Sequence, residues 1–111
     1  MVPKARSQRF GLENSELLSE IIAKLRQNLP EIALRFQVKS LLLFGSYVRA
    51  KQRKGSDLDI LVEFIEPPSF FEFLALERYL SNLLGVKVDL VMKEALKPTI
   101  GKHVLAEAVP V

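Results

Sequence analysis

Gly45 and Ser46 close an apolar run, Leu41-Leu42-Leu43-Phe44, and ten residues later the chain reads Asp57-Leu58-Asp59. A strand that turns sharply with its backbone close to a ligand favours a residue without a Cβ. A helix start directly after it leaves free N–H groups and a positive dipole end, which together favour a phosphate. Ser46 adds a hydroxyl that donates to a phosphate oxygen. Gly-Ser alone also fits a plain strand–turn–helix junction with a serine cap.

The two aspartates narrow that reading. Side chains alternate along a strand, so Asp57 and Asp59 share one face while Leu58, Ile60 and Val62 take the other. Two carboxylates this close repel, and without a partner one must rise in pKa. A divalent cation removes the repulsion, and hard oxygen donors suit magnesium or manganese. A solvated strand end capped by Ser56 and Asp57 is the competing reading. Asp89 is a third carboxylate, set between Val88 and Leu90 in an otherwise apolar strand. If its strand lies beside that of Asp57 and Asp59, the three acids can hold two ions. One ion serves a triphosphate and the other lowers the pKa of an attacking hydroxyl. An edge strand with Lys87 and Asp89 both facing solvent is the alternative, and sequence alone does not set strand order.

Arg49 follows Ser46 by three residues, one helical turn, and can point at the same phosphates. Lys51, Arg53 and Lys54 form a basic loop whose ordinary fate is solvation. Glu63 shares the face of the two aspartates but lies about 13 Å further along, at a strand end. His103, the single histidine, has no cluster with which to ligate a metal and fits a surface or packing role. Tyr47 can pack on the sheet or lie against a nucleotide. Phe70, Phe71 and Phe73 suit core and partner surface better than base stacking.

The elements that must hold these residues follow from periodicity. Asn14 or Ser15 can cap a helix with apolar positions Leu17, Leu18, Ile21, Ile22, Leu25 and Leu29. Pro30 ends or kinks it, or begins a second short helix through Phe36. Residues 38–44 and 57–64 read as strands, with a short helix starting over 46–50 between them. Ser69-Phe70-Phe71-Glu72 is a capping box opening a helix to about Leu84, with Phe70, Phe73, Leu74, Leu76, Leu80 and Leu83 on its apolar face. Gly85 stops it, residues 86–91 form a third strand, and Pro98 starts a last helix towards Ala108 before a short tail. This order predicts an α/β (α+β) fold, a small mixed sheet flanked by helices. Residues 1–13 read as a flexible arm and 14–111 as one domain.

Composition sets the bounds. At 111 residues and 49% hydrophobic, the chain supports one core. A net charge of +3 suits phosphate ligands, but basic residues interleave poorly with aromatics, which disfavours nucleic acid. The absence of cysteine excludes disulfides and thiolate metal sites. No apolar run follows the basic N-terminus and none reaches the ~20 residues of a membrane span. A cytoplasmic protein is expected.

Gly45-Ser46, the ten-residue interval, Asp57-x-Asp59 and the later strand acid Asp89 together resemble the minimal nucleotidyltransferases of the polymerase-β superfamily. The resemblance spans residues 38–109, from Leu-Phe-Gly-Ser to the ending Glu-Ala-Val. It implies a polymerase-β-like nucleotidyltransferase fold and Mg²⁺-dependent transfer, in which an acceptor hydroxyl attacks the α-phosphate of ATP. By the same resemblance Gly45, Ser46 and Arg49 bind the triphosphate, Asp57 and Asp59 are metal ligands, and Asp89 joins them and aligns or deprotonates the acceptor. Val48 and Ala50 depart from the small residue and glycine that usually flank the arginine. Small members of this type resemble the antitoxin of a toxin–antitoxin pair, whose partner is a HEPN-domain ribonuclease that receives AMP on a tyrosine. The alternatives are an antitoxin that acts by binding alone, or a catalytic subunit acting on a small molecule or RNA. Either a homo- or a hetero-oligomer fits.

Overall fold

Apolar residues at helical spacing over the first third of the chain produce one long helix, α1 (Asn14–Phe36). It runs through Pro30 without a break. A helix-interior proline costs about 3 kcal/mol, and the fully buried Leu25 and Ile32 on either side anchor both flanking turns to the core. Neither the second helix nor the stop that Pro30 suggested is formed. The chain leaves α1 through Gln37, a non-glycine residue at φ 58°. The computed structural model describes residues 14–49, 51 and 55–111. The expected arm at 1–13, and Ala50, Arg53 and Lys54 of the central loop, lie outside the described residues.

Strands β1 (Val38–Phe44) and β2 (Leu58–Phe64) pair antiparallel, with Phe44 opposite Asp59. Next comes α2 (Phe70–Leu84), closed at its start by reciprocal hydrogen bonds between Ser69 and Glu72 and at its end by Gly85 at φ 71°. Strand β3 (Val88–Met92) lies parallel to β2, Asp59 beside Asp89. A 3-10 turn (Lys93–Ala95) leads to α3 (Pro98–Glu107) and then to β4 (Val109–Pro110), which pairs antiparallel with β1. The sheet order is β3-β2-β1-β4. What the sequence suggested was a tail is therefore a sheet edge.

One sheet face carries the core. Leu41, Leu43, Leu58, Ile60, Val62, Val88 and Leu90 pack under α1 and α2, with Leu25, Ile32, Leu76 and Leu80 fully buried. At the β3 edge, α2 supplies acceptors: Ser81 Oγ takes the Val88 amide at 3.0 Å and Glu77 Oε2 the Leu90 amide at 2.9 Å. That satisfies donors an edge strand would otherwise expose. Phe73 packs against the core. Phe70 at 70% and Leu74 at 37% exposure face outward instead, as does Phe71 at 80%. The expected apolar face of α2 is thus narrower than its helical spacing implied. Among the described residues no helix is long and apolar enough to cross a membrane.

Candidate active site

The site is built on the opposite face of the sheet, where β1 ends and β2 begins. Register fixes its central row: Phe44 lies opposite Asp59 on one side and Asp89 beside it on the other. Alternation therefore puts Asp59 and Asp89 on a common face. Leu61, two residues further along that face, is fully buried and aligned with Leu42 and Val91. This apolar row floors the sheet behind the carboxylates.

Gly45 is required here twice over. Its φ is +84°, a region L-residues with side chains rarely adopt. A Cβ placed on it would collide with Oδ2 of Asp59 and stand 3.0 Å from the Asp59 Cγ. The missing side chain is thus the space that the Asp59 carboxylate occupies. Beyond Gly45 the chain makes a single tight turn over Ser46–Arg49 in place of the expected short helix. Gly45 O accepts from the amides of Val48 and Arg49, both at 3.1 Å, and Ser46 O accepts from Lys51 at 2.8 Å. The amides of Ser46 and Tyr47 stay outside these turn bonds. Ser46 is half-buried. Tyr47 packs into the core at 2% exposure, which decides between the two roles open to it.

The charges of Asp89 and Asp57 both act on Asp59. The Asp59 carboxyl is pushed up to about 6, first by burial, then by the charges of Asp89 and Asp57 and by a hydrogen bond with Asp89, against a downward pull from Arg49. Asp57 immediately precedes β2 and also acts on Tyr47, whose hydroxyl is raised by burial and by that charge. Among the described residues no group of three or more histidine, cysteine, aspartate or glutamate side chains stands placed to hold a metal ion. The row offers hard oxygen donors and excess negative charge, which is the chemistry a divalent cation would complete.

The remaining candidates separate. Arg49 is half-exposed, and its Nη1 donates to both carboxylate oxygens of Glu107, at 3.1 and 3.2 Å. Glu107 stands at the end of α3, 58 residues away. No sequence spacing indicated that contact, although an acid in a final helical turn is placed against the helix dipole. Glu63 lies outside the row, accepting from Ser40 Oγ at 3.1 Å and pairing with Lys39 and Lys93, each at 3.7 Å. His103 is exposed on α3.

A family model for a nucleotidyltransferase domain matches residues 18–110. The chain is 50% identical over 92 residues to the protein adenylyltransferase MntA of Thermococcus cleftensis, covering 83% of this chain and 93% of that protein. Among solved structures, a candidate minimal nucleotidyltransferase is similar at TM-score 0.70 and 33% identity, with 91% of this chain and 98% of that one covered. A toxin–antitoxin crystal structure with AMP-PNP is similar at TM-score 0.61 and 27% identity, covering 83% and 69% of the two chains. The extent of these matches makes this chain a member of the nucleotidyltransferase domain family.

Proposed function

We propose that this chain is a magnesium-dependent protein adenylyltransferase that moves AMP from ATP to a tyrosine hydroxyl of a HEPN-domain toxin, and so acts as its antitoxin in the cytoplasm. The row of Gly45, Asp59 and Asp89 carries the reading: the turn suited to phosphate and the acids suited to a cation meet at one sheet end. On this reading Ser46 and Arg49 bind the triphosphate, and Asp57, Asp59 and Asp89 hold one or two ions. When bound, the cation supplies charge neutralisation for the phosphates and acidifies the acceptor hydroxyl. The tyrosine oxygen forms a bond to the α-phosphorus, the α–β bridging bond breaks, and pyrophosphate leaves. Asp89, beside Asp59 in the strand register, is the acid we assign to take or align the tyrosine proton.

Support for the acceptor comes from outside the chain. The relative from Thermococcus cleftensis is named for adenylyl transfer to protein, and the AMP-PNP neighbour is a toxin–antitoxin assembly. Residues 14–111 then serve as a single domain, and the acceptor arrives on a second chain. The test is to incubate the protein with its genomically adjacent partner, ATP and Mg²⁺ and to weigh the partner. We expect a mass gain of one or more AMP groups, lost in Asp57→Asn and Asp59→Asn by at least ~1,000-fold in rate. Modification that survives either change overturns the metal assignment. Neutralisation of the partner without any mass gain makes the protein an antitoxin that acts by binding alone.

A further inference from the structure

Glu107 sits where a carboxylate is unwelcome. The end of a helix carries partial negative charge, and α3 has no basic residue in its last turn to compensate. Arg49 compensates from the turn after the neighbouring strand β1, with Nη1 donating to both oxygens of Glu107. The segment bearing Glu107 is fixed against the strand that delivers Gly45. Ala108 N donates to Val104 O at 2.9 Å, Val109 and Pro110 pair with Leu43 and Leu42, and Val111 N donates to Leu41 O at 3.1 Å.

Arg49 is thus paired with Glu107 while its charge also reaches the acidic row. Its charge acts on Asp59, where it is the influence that opposes burial and the neighbouring acids. Without Glu107, the acids of the row are the anions that would attract the guanidinium, and an arginine resting on them would occupy the place of a cation. With Glu107 present, one guanidinium nitrogen is engaged away from the row. An arginine offers five donors in a fixed fork, so Nε and Nη2 remain outside this ion pair.

We propose that Glu107 is a positioning residue, holding Arg49 by Nη1 beside the Gly45 turn so that its remaining N–H groups meet the phosphates of a bound nucleoside triphosphate. The inference rests on the nucleotide-binding reading above. The pair is half-exposed, and exposed pairs add little to stability. Its consequence is orientation, since the arginine's rotamer freedom is reduced before the nucleotide arrives.

The test is a double-mutant cycle on the full chain, read by calorimetric titration with ATP and Mg²⁺ and by the KM and kcat of transfer to the partner. We expect Glu107→Ala to weaken ATP binding about three- to fivefold and to raise KM for ATP in step, with kcat nearly unchanged. Arg49→Ala should weaken binding at least as much, and adding Glu107→Ala to it should do nothing more. Glu107→Asp should recover part of the affinity. Should Glu107→Ala compromise folding, Glu107→Gln, which keeps the shape and drops the charge, decides in its place. Unaltered ATP affinity in these variants, or losses that add in full in the double mutant, overturns the positioning role while leaving the nucleotide reading intact. A parent chain that binds no ATP overturns the nucleotide reading itself.

Discussion

Strand β2 presents two acids on one face, Asp59 and Glu63, and the fold treats them in opposite ways. Asp59 is half-buried beside Asp89 and Asp57, and its carboxyl is pushed up to about 6. Glu63 receives a hydrogen bond from Ser40 and the charges of Lys39 and Lys93, and its carboxyl is held below the usual range, the Ser40 bond being the largest influence. The fully buried Leu61 separates the two. An acid with its own partners is complete, and its neighbourhood asks for nothing more. An acid beside two other acids, in a space kept open by a missing Cβ, has surplus negative charge and is a candidate for chemistry. Along one strand, the contrast distinguishes an acid that holds the fold from acids available for chemistry.

The most damaging way to break the contrast is to fill the space at Asp59. Gly45→Ala puts a methyl group into the Asp59 carboxylate at a backbone φ of +84°. We expect a loss of about 2–3 kcal/mol in stability from the strained backbone and the clash together. Transfer should fall at least ~100-fold, because a carboxylate displaced by an ångström no longer serves the reacting groups. Rate measurement on folded protein at low temperature separates the two effects. Near-normal transfer in Gly45→Ala would mean that the turn does not shape the site.

Titration sharpens the contrast at the acidic row. Asp59 has its folded pKa raised from 3.8 to about 6. The stability it contributes is therefore fully present below the unfolded value and is lost as pH rises through about 6. Asp59→Asn should then melt higher than the parent chain at pH 8 in metal-free buffer. Half-exposure and solvent screening reduce the full linkage energy to on the order of 1 kcal/mol, or roughly 4 °C. The advantage should shrink as pH falls below about 6 and vanish well below 3.8, where Asp59 is protonated in both states. Mg²⁺ should raise the melting temperature of the parent chain at pH 8 and should do so much less for Asp59→Asn. Equal melting of the two proteins at pH 8 without metal would remove the like-charge account of the row.

How much of this was legible follows from which interactions are local. Strand alternation placed Asp59 away from Leu58 and Ile60, and the capping box and Gly85 marked both ends of α2. Those signals lie within a few residues of one another. The alignment of Asp59 with Asp89 depends on β2 and β3 being neighbours, which no local pattern states. The two residues of β4 are too few to show any period. Arg49 and Glu107 meet only because α3 and β4 return the chain to β1. Pro30 misled for the converse reason: its local penalty is real, and buried residues on both sides of it outweigh that penalty. For α2, spacing showed which side chains align but not how wide a face the sheet covers, so Phe70 and Leu74 were misplaced.

The smallest effect comes from the other acid, and its sign is its value. Glu63 has a lowered folded pKa, so its contribution is present above the unfolded pKa and is lost as pH falls through the folded one. Glu63→Gln should melt slightly lower than the parent chain at pH 8, opposite in direction to Asp59→Asn, and the difference should shrink as pH falls below the carboxylate range. Added salt should shrink it as well, because Lys39 and Lys93 interact with Glu63 near the surface. Transfer to the partner should be unchanged, since Leu61 and its aligned neighbours stand between Glu63 and the row. Thermal melts of the two variants across pH, with and without Mg²⁺, measure both signs in one experiment. A Glu63→Gln protein that loses transfer at full stability would extend the active site along β2 and erase the division between the two acids.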